Sequence, residues 1–144
     1  MLVLPAAAAD PAEELLAFMT TEQKIAQMLM PAFRYFEDEN GELQGVTEMF
    51  PEMEQMLEKY SFGGVILFAQ NTAENQQTVR LTDAIQKANA AVPGRPQLLI
   101  STDQEGGNVT RLGEGTQMPG NMALGAAGLT VLTEQAATVI GQEL

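Results

Sequence analysis

The residues best suited to chemistry lie together between positions 103 and 111, in the run DQEGGNVTR. Asp103 and Glu105 supply carboxylates that accept hydrogen bonds, and Arg111 supplies a planar fork of donors for a hydroxyl or a carboxylate. Gly106 and Gly107 allow the backbone to turn sharply or to approach a ligand closely. The run therefore predicts a polar ligand-binding loop with Asp103 and Arg111 as its candidate binding residues.

Other interpretations of this run are open from the residues alone. Asp103 could cap a following turn, and Arg111 could simply pair with Asp103 or Glu105. The two carboxylates could also bind a metal ion, although the run supplies no third ligand. The nearby segment 113–115, Gly-Glu-Gly, lacks the third glycine of a dinucleotide-binding fingerprint. We therefore expect neither a metal nor another cofactor.

The composition removes most other kinds of catalytic site. The 144 residues include no His and no Cys, which excludes a serine–histidine triad, a cysteine nucleophile and most zinc sites on this chain. Seven basic against 19 acidic residues give a net charge of −12, which argues against a nucleic acid partner. No apolar run has the length of a membrane span. Carboxylates, Lys, Arg, Tyr and hydroxyls remain for catalysis.

Alternating helical segments and apolar runs are expected to position the loop. The strand-like runs are Gln27–Phe33, Gly64–Phe68 and Gln97–Thr102, and we predict that they are neighbouring parallel strands in that order. Such alternation is typical of a parallel α/β fold, in which ligands bind beyond the carboxyl ends of the strands. The run 103–111 follows the third strand directly, so it is expected at that end of the sheet.

The remaining segments are assigned from capping and turn residues. We predict loops over the acidic segment 37–45 and the glycine-rich segment 103–128. Residues 1–9, MLVLPAAAA, resemble a leader remnant, the alternative being a chain end without function. Helices are predicted to begin near Asp10, Thr20, Thr47, Asn71 and Thr130.

Four segments together resemble the beginning of family 3 glycoside hydrolases, in the branch of the bacterial β-N-acetylhexosaminidases. They are MTTEQKIAQMLMP (19–31), FGGVILF (62–68), STDQEGGNVTRL (101–112) and PGNMALGAA (119–127), and they occur in the family's order. The resemblance extends over residues 19–144 and implies the N-terminal portion, about three βα units, of a (β/α)8 TIM barrel. It implies a barrel domain that is truncated before its fourth strand, preceded over residues 1–18 by the leader remnant and a first helix.

The resemblance also implies roles for individual residues. Asp103 matches the family's aspartate that binds sugar hydroxyls in the −1 subsite, and Arg111 matches the arginine beside it. Glu105, Gly106 and Gly107 match motif positions that support the loop. The aspartate nucleophile and the histidine acid/base of the family's retaining mechanism are expected in the missing part of the barrel, so no catalytic residue is expected in this chain.

Two functions follow as hypotheses. The first is a fragment of a retaining exo-β-N-acetylhexosaminidase that acts on terminal β-linked N-acetylglucosamine, inactive by itself. The alternative is a non-catalytic sugar-binding or interaction module with a partial barrel. The expected partners are a β-linked N-acetylglucosaminide or a muropeptide-type glycan, together with a second copy or the missing C-terminal part. The acidic composition and possible leader favour secretion or the cell envelope of a bacterium, with the cytoplasm as the alternative.

Overall fold

The computed structural model describes residues 10–144, and the predicted leader remnant over residues 1–9 lies outside the described residues. In the described part, no helix is both long and apolar enough to cross a membrane. The strands are β1 (Tyr35–Glu37), β2 (Leu43–Gly45), β3 (Gly64–Leu67) and β4 (Leu99–Thr102). The helices are α1 (Pro11–Phe18), α2 (Thr21–Ala26), α3 (Pro51–Lys59), α4 (Asn75–Ala90), α5 (Asn121–Ala127) and α6 (Thr130–Glu143).

The first two helices begin where their capping residues predict. The Asp10 carboxylate accepts a hydrogen bond from the backbone N–H of Ala12 at 2.9 Å, and Pro11 occupies the first turn of α1. At α2, the Thr20 hydroxyl accepts from the backbone N–H of Gln23, and the Gln23 side chain accepts from the backbone N–H of Thr20. Both bonds of the capping box are therefore present, as predicted.

Two other helices begin four residues later than predicted. Helix α3 begins at Pro51 rather than near Thr47, because the Thr47 carbonyl accepts a hydrogen bond from the Gln77 side chain of α4. Helix α4 begins at Asn75 rather than near Asn71, because Asn71 uses its side chain to hold the preceding loop. In both cases tertiary partners engage residues that the local pattern assigns to a helix.

Strands β3 and β4 form the parallel pair that the sequence predicts. Their register pairs Gly64 with Leu99 and continues to Leu67 with Thr102. One face packs on the helices and carries the buried Val65 and Leu67, whereas Leu99 on the other face is 69% exposed. The face opposite the helices is therefore only partly covered.

The predicted first strand, Gln27–Phe33, is wrong as a strand, although the segment lies where a strand was expected. The backbone N–H groups of Met28 and Leu29 extend the end of α2 by turning back to Ile25 and Ala26. Pro31 has no N–H to donate to a ladder. Two backbone bonds, from the Gly63 N–H to the Leu29 carbonyl and from the Ile66 N–H to the Pro31 carbonyl, both at 3.1 Å, place the segment beside β3.

The acidic segment 37–45, predicted as a loop, instead contains parts of a β-hairpin. Strands β1 and β2 are antiparallel, with Tyr35 opposite Gly45. Each strand has only three residues, too few to show a strand alternation in the sequence. The segment 103–128, also predicted as a loop, contains the seven-residue helix α5. The antiparallel pair involves none of the three predicted parallel strands.

The core lies between the β3–β4 sheet and helices α3 and α4. Met53 and Leu57 of α3 and Leu81 and Ile85 of α4 are each at most 1% exposed. Of the α3 methionines, Met53 is thus part of the core, whereas Met56 is 40% exposed. The α3–α4 layer supports the sheet from one side and leaves its carboxyl end accessible.

Candidate functional site

Strands β3 and β4 bring Phe68 and Asp103 side by side at the carboxyl end of the sheet. The last pair in the register is Leu67 with Thr102, so Phe68 and Asp103 are the next residues on the two strands. Alternation of side chains directs both away from the face on which Leu67 is buried. The site therefore begins on the sheet face that the helices do not cover.

Arg111 returns to this point from the other end of its loop. Its Nη2 atom lies 3.7 Å from Oδ2 of Asp103, and its Cζ atom lies 5.8 Å from the centre of the Phe68 ring. The Asp103 and Arg111 side chains are 40% and 23% exposed, so their ion pair adds little stability. Because the separation exceeds a hydrogen-bond length, donor and acceptor positions on both groups are available to a polar ligand.

A second arginine reaches the same aromatic ring. The Cζ atom of Arg34 lies 3.5 Å from the centre of the Phe68 ring, the distance of a stacked guanidinium. Neither Arg34 nor Phe68 is among the predicted site residues. Arg34 directly follows the predicted strand Gln27–Phe33, and Phe68 is the last residue of the predicted strand Gly64–Phe68, and those positions were the available signal. Two of the four arginines in the chain thus meet at Phe68.

A buried amide holds the segments that carry Phe68 and Arg34. The Asn71 side chain is fully buried and accepts a hydrogen bond from the Phe68 N–H at 2.9 Å. Its amide group donates to the carbonyls of Phe33 and Val46 at 2.8 and 2.9 Å. Asn71 therefore joins the loop after β3 to the chain on both sides of the hairpin, a role that the sequence analysis missed.

The glycine pair makes the sharp turn that the sequence predicts. Gly106 has φ of +79° and Gly107 has φ of +58°, backbone conformations that side chains disfavour. A Cβ atom on Gly106 would lie 2.6 Å from the Pro119 carbonyl oxygen, so the backbone approaches another segment closely. The Gly107 N–H donates to the Met118 carbonyl at 2.8 Å. The pair thus packs the loop against residues 118–120.

Glu105 contributes to the loop through its backbone. Its N–H donates to the Val109 carbonyl at 2.8 Å, while its side chain is exposed. A different carboxylate fastens the loop to a helix, since Glu114 accepts a hydrogen bond from the Asn75 N–H at 2.7 Å. Asn75 is the first residue of α4, where a negative charge is favourable. In the sequence, Glu114 is marked only by its flanking glycines.

The arrangement can bind a hydroxyl-rich ligand. A carboxylate and a guanidinium together accept from and donate to hydroxyl groups, and an aromatic ring offers an apolar surface beside them. Among residues 10–144, no three His, Cys, Asp or Glu side chains come together as a metal site. The site has one carboxylate, that of Asp103, beside an arginine.

Comparison with known proteins decides the family. The family model described as the glycosyl hydrolase family 3 N terminal domain matches residues 20–144. The chain belongs to glycoside hydrolase family 3. Among curated relatives, a β-hexosaminidase A from Pseudoalteromonas piscicida is 35% identical over 88% of this chain. The alignment covers 23% of that relative's length.

Solved structures of family 3 members agree with this assignment. The chain is similar to a β-N-acetylglucosaminidase from Paenibacillus sp. str. FPU-7, with 39% identity and a TM-score of 0.74 over 88% of this chain and 22% of that one. It is also similar to NagZ from Neisseria gonorrhoeae, with 27% identity and a TM-score of 0.59 over 80% of this chain and 31% of that one. The predicted fold, part of a TIM-type α/β barrel, is confirmed. The chain spans about a quarter of the length of these relatives.

Proposed function

We propose that this family 3 chain is the N-terminal part of a retaining exo-β-N-acetylhexosaminidase and forms part of the subsite for a terminal β-linked N-acetylglucosamine. The observation that carries the proposal is the Asp103–Arg111 pair, 3.7 Å apart at the carboxyl end of β4. Ligands of barrel enzymes bind at that end. The names of the relatives, β-hexosaminidase and β-N-acetylglucosaminidase, supply the substrate class.

In the proposed subsite, Asp103 and Arg111 bind the sugar hydroxyls. The carboxylate of Asp103 accepts from hydroxyl groups, and the free edges of the Arg111 guanidinium donate to hydroxyl oxygens. Arg34 and the ring of Phe68, at 3.5 Å from each other, form the adjoining wall. These contacts orient a sugar, while bond cleavage requires a nucleophile and an acid/base that this chain does not contribute.

Kinetics of the intact enzyme that contains this chain test the subsite. Asp103→Ala should reduce kcat/KM for a chromogenic β-N-acetylglucosaminide at least about tenfold, because a charge-assisted hydrogen bond is worth about 1.5–3 kcal/mol. Arg111→Lys should also be costly, since an ammonium does not reproduce the planar fork. The matched control is Arg80→Lys on the exposed surface of α4, which should leave kcat/KM unchanged. Wild-type kinetics for both site variants would refute the assignment.

We propose further that these 144 residues alone do not hydrolyse glycosides. The sequence contains no histidine to serve as the family's acid/base. Asp103 is held beside Arg111, and Glu105, two residues away, is exposed. Retaining enzymes need two carboxyl groups on opposite sides of the scissile bond, about 5–5.5 Å apart. Saturable turnover of the same chromogenic glycoside by the purified chain would contradict this proposal. It would fit neither an inactive enzyme fragment nor a non-catalytic sugar-binding module.

We also propose that the isolated chain associates with itself through the uncovered face of the β3–β4 sheet. The support is apolar exposure on that side of the molecule: Leu99 of β4 is 69% exposed, and Met28 and Leu29 beside β3 are 84% and 51% exposed. Exposed apolar surface next to unpaired strand edges favours pairing with a second copy. In an intact barrel, this face would be covered by the other strands.

Light scattering on matched variants tests the association. Leu99→Lys should shift the chain from oligomer towards monomer, because it places a charge on the uncovered face. Leu43→Lys is the control, since Leu43 is 70% exposed on β2, which belongs to the separate hairpin sheet. A wild-type chain that is monodisperse at 15.5 kDa would overturn the proposal, as would equal effects of the two substitutions.

A further inference from the structure

Arg111 is held by hydrogen bonds on both of the peptide units that flank it. Its own backbone N–H donates to Oε1 of Gln104 at 2.7 Å, and the next N–H, that of Leu112, donates to the same oxygen at 3.2 Å. Its carbonyl oxygen accepts from the hydroxyl of Thr72 at 2.6 Å. The peptide unit between Thr110 and Arg111 is therefore held at its N–H. The unit between Arg111 and Leu112 is held at both its carbonyl and its N–H.

Holding two successive peptide planes fixes the direction of the side chain between them. Peptide units are rigid planes, and φ and ψ of Arg111 are the only soft torsions that join these two. With both planes anchored, the Cα–Cβ bond of Arg111 has one direction, towards Asp103 and Phe68. The long arginine side chain then starts from a fixed base, which reduces the conformational freedom it must lose when a ligand binds.

The two anchors come from different parts of the fold. Gln104 is the residue after Asp103 on the same loop, whereas Thr72 belongs to the loop between β3 and α4 and is 6% exposed. Thr72 follows Asn71, which in turn holds the Phe68 backbone. The loops after β3 and after β4 are therefore joined at Arg111, so the guanidinium, the Phe68 ring and the Asp103 carboxylate are fixed relative to one another.

We propose that Thr72 and Gln104 are positioning residues, which act on the ligand through Arg111 and do not touch it themselves. The proposal rests on the proposed function for the ligand that Arg111 binds, but the geometry of the clamp does not depend on which ligand that is. The Arg111 Nε atom is buried and has no hydrogen-bond partner within the described part of the chain. Its N–H proton is thus shielded from water and gives a sensitive local signal.

The experiment is NMR of the whole 144-residue chain, labelled with ¹⁵N, in which the four arginine Nε–H resonances are followed in each variant. Thr72→Val keeps the shape and removes the hydroxyl donor, and Gln104→Met keeps the length and removes the acceptor oxygen. Each should shift and broaden the Arg111 Nε–H resonance and speed its exchange with water about tenfold, in line with the loss of one hydrogen bond. The Arg80 resonance should not change.

Conservative variants separate positioning from a general loss of structure. Thr72→Ser keeps the hydroxyl, and Gln104→Glu keeps an acceptor oxygen at the same reach, so both should restore the Arg111 signal. The matched controls are Thr82→Val, which removes a bond local to α4, and Gln117→Met on the exposed part of the same loop. An Arg111 signal that is unchanged in Thr72→Val and Gln104→Met overturns the proposal, as does a failure of both conservative variants to restore it.

A titration with N-acetylglucosamine on the same samples distinguishes the two proposals. If the wild-type chain binds the sugar, Thr72→Val and Gln104→Met should weaken binding about tenfold, and the conservative variants should bind as the wild type does. Wild-type kinetics for Asp103→Ala and Arg111→Lys in the intact enzyme, together with a sensitive Arg111 signal in the chain, would count against the proposed function and in favour of the clamp. Unweakened binding in both disruptive variants would count against the clamp.

Discussion

Two acidic, glycine-containing loops in this chain are built in opposite ways. The hairpin turn between β1 and β2 is held by its own residues: the Asp38 carboxylate accepts from the backbone N–H groups of Asn40 and Glu42 and from the Gln44 side chain. The site loop after β4 has bonds of its own, such as those to Gln104, but it is also fastened to residues distant in the sequence, with Thr72 bonded to Arg111 and Asn75 bonded to Glu114, each 39 residues apart.

The difference explains why the two loops carry different functions. A turn that is closed by its own side chains keeps its shape wherever it is placed, but it has little influence on the rest of the molecule. A loop tied to other segments at several points takes its shape from the fold and can hold a side chain in one direction. The second kind is the one that presents Asp103 and Arg111 together.

Glycine substitutions should show the largest difference between the two loops. Gly106→Ala should lower the free energy of unfolding by about 3–5 kcal/mol, because it combines a positive φ with a Cβ that meets backbone atoms. Gly41→Ala in the hairpin turn should cost about 1–2 kcal/mol, because its Cβ meets only the flexible end of the Glu37 side chain at 3.4 Å. Urea unfolding measures both.

The control for these substitutions is Gly113→Ala. Its Cβ would have no neighbour within 4 Å and its φ is not positive, so the free energy of unfolding should change by less than about 0.5 kcal/mol. Equal costs for Gly106→Ala and Gly41→Ala would contradict the view that the site loop is closed by distant backbone.

Removal of the Asn71 amide, which joins the loop after β3 to the chain on both sides of the hairpin, should have the next largest effect. Asn71→Ala leaves the Phe33 and Val46 carbonyls and the Phe68 N–H without their partner, and should cost about 2–4 kcal/mol. The control, Asn108→Ala, changes an exposed residue of the site loop and should be close to neutral. Urea unfolding compares Asn71→Ala with Asn108→Ala. A neutral Asn71→Ala would show that the loop after β3 and the chain beside the hairpin are joined by packing alone.

The two glutamates of the site loop should differ by a smaller amount. Glu114→Ala removes an acceptor at the first residue of α4 and should cost about 0.5–1 kcal/mol. Glu105→Ala removes only an exposed side chain and should change the free energy of unfolding by less than about 0.5 kcal/mol. Thermal unfolding compares the two substitutions. If Glu105→Ala destabilised the chain more than Glu114→Ala does, the Glu105 side chain would support the loop in addition to its backbone N–H.

The smallest effect concerns the pH dependence of the hairpin turn. Backbone N–H donors from Glu42 and Asn40 lower the pKa of Asp38. Because the folded pKa lies below the unfolded one, the stabilisation is fully present above the ordinary aspartate pKa and is lost as the pH falls through the folded pKa. The amide resonances of Asn40 and Glu42 should report that titration, and Asp38→Asn should abolish it. A titration midpoint at or above the ordinary aspartate pKa would contradict the lowered pKa of Asp38.

Much of the local structure could be predicted from single residues. The starts of α1 and α2, the parallel strands β3 and β4 and the turn at the glycine pair depend on capping groups, apolar runs and backbone freedom, which are local properties. The first strand and the hairpin could not be predicted in this way. Pro31 interrupts a ladder that its apolar neighbours favour, and the three-residue strands β1 and β2 owe their pairing to each other.

The sequence by itself determined which groups are available for chemistry. Without His or Cys, a carboxylate and a guanidinium eight residues apart are the prominent polar pair, and the DQEGG run with its neighbours identifies the family. Tertiary structure alone decided what stands around that pair. Phe68 comes beside Asp103 through strand register, Arg34 reaches the same ring from the first hairpin, and Thr72 fixes Arg111 from another loop. These contacts join residues 34–39 positions apart, and no local pattern records them, because each depends on where the folded backbone brings the chain.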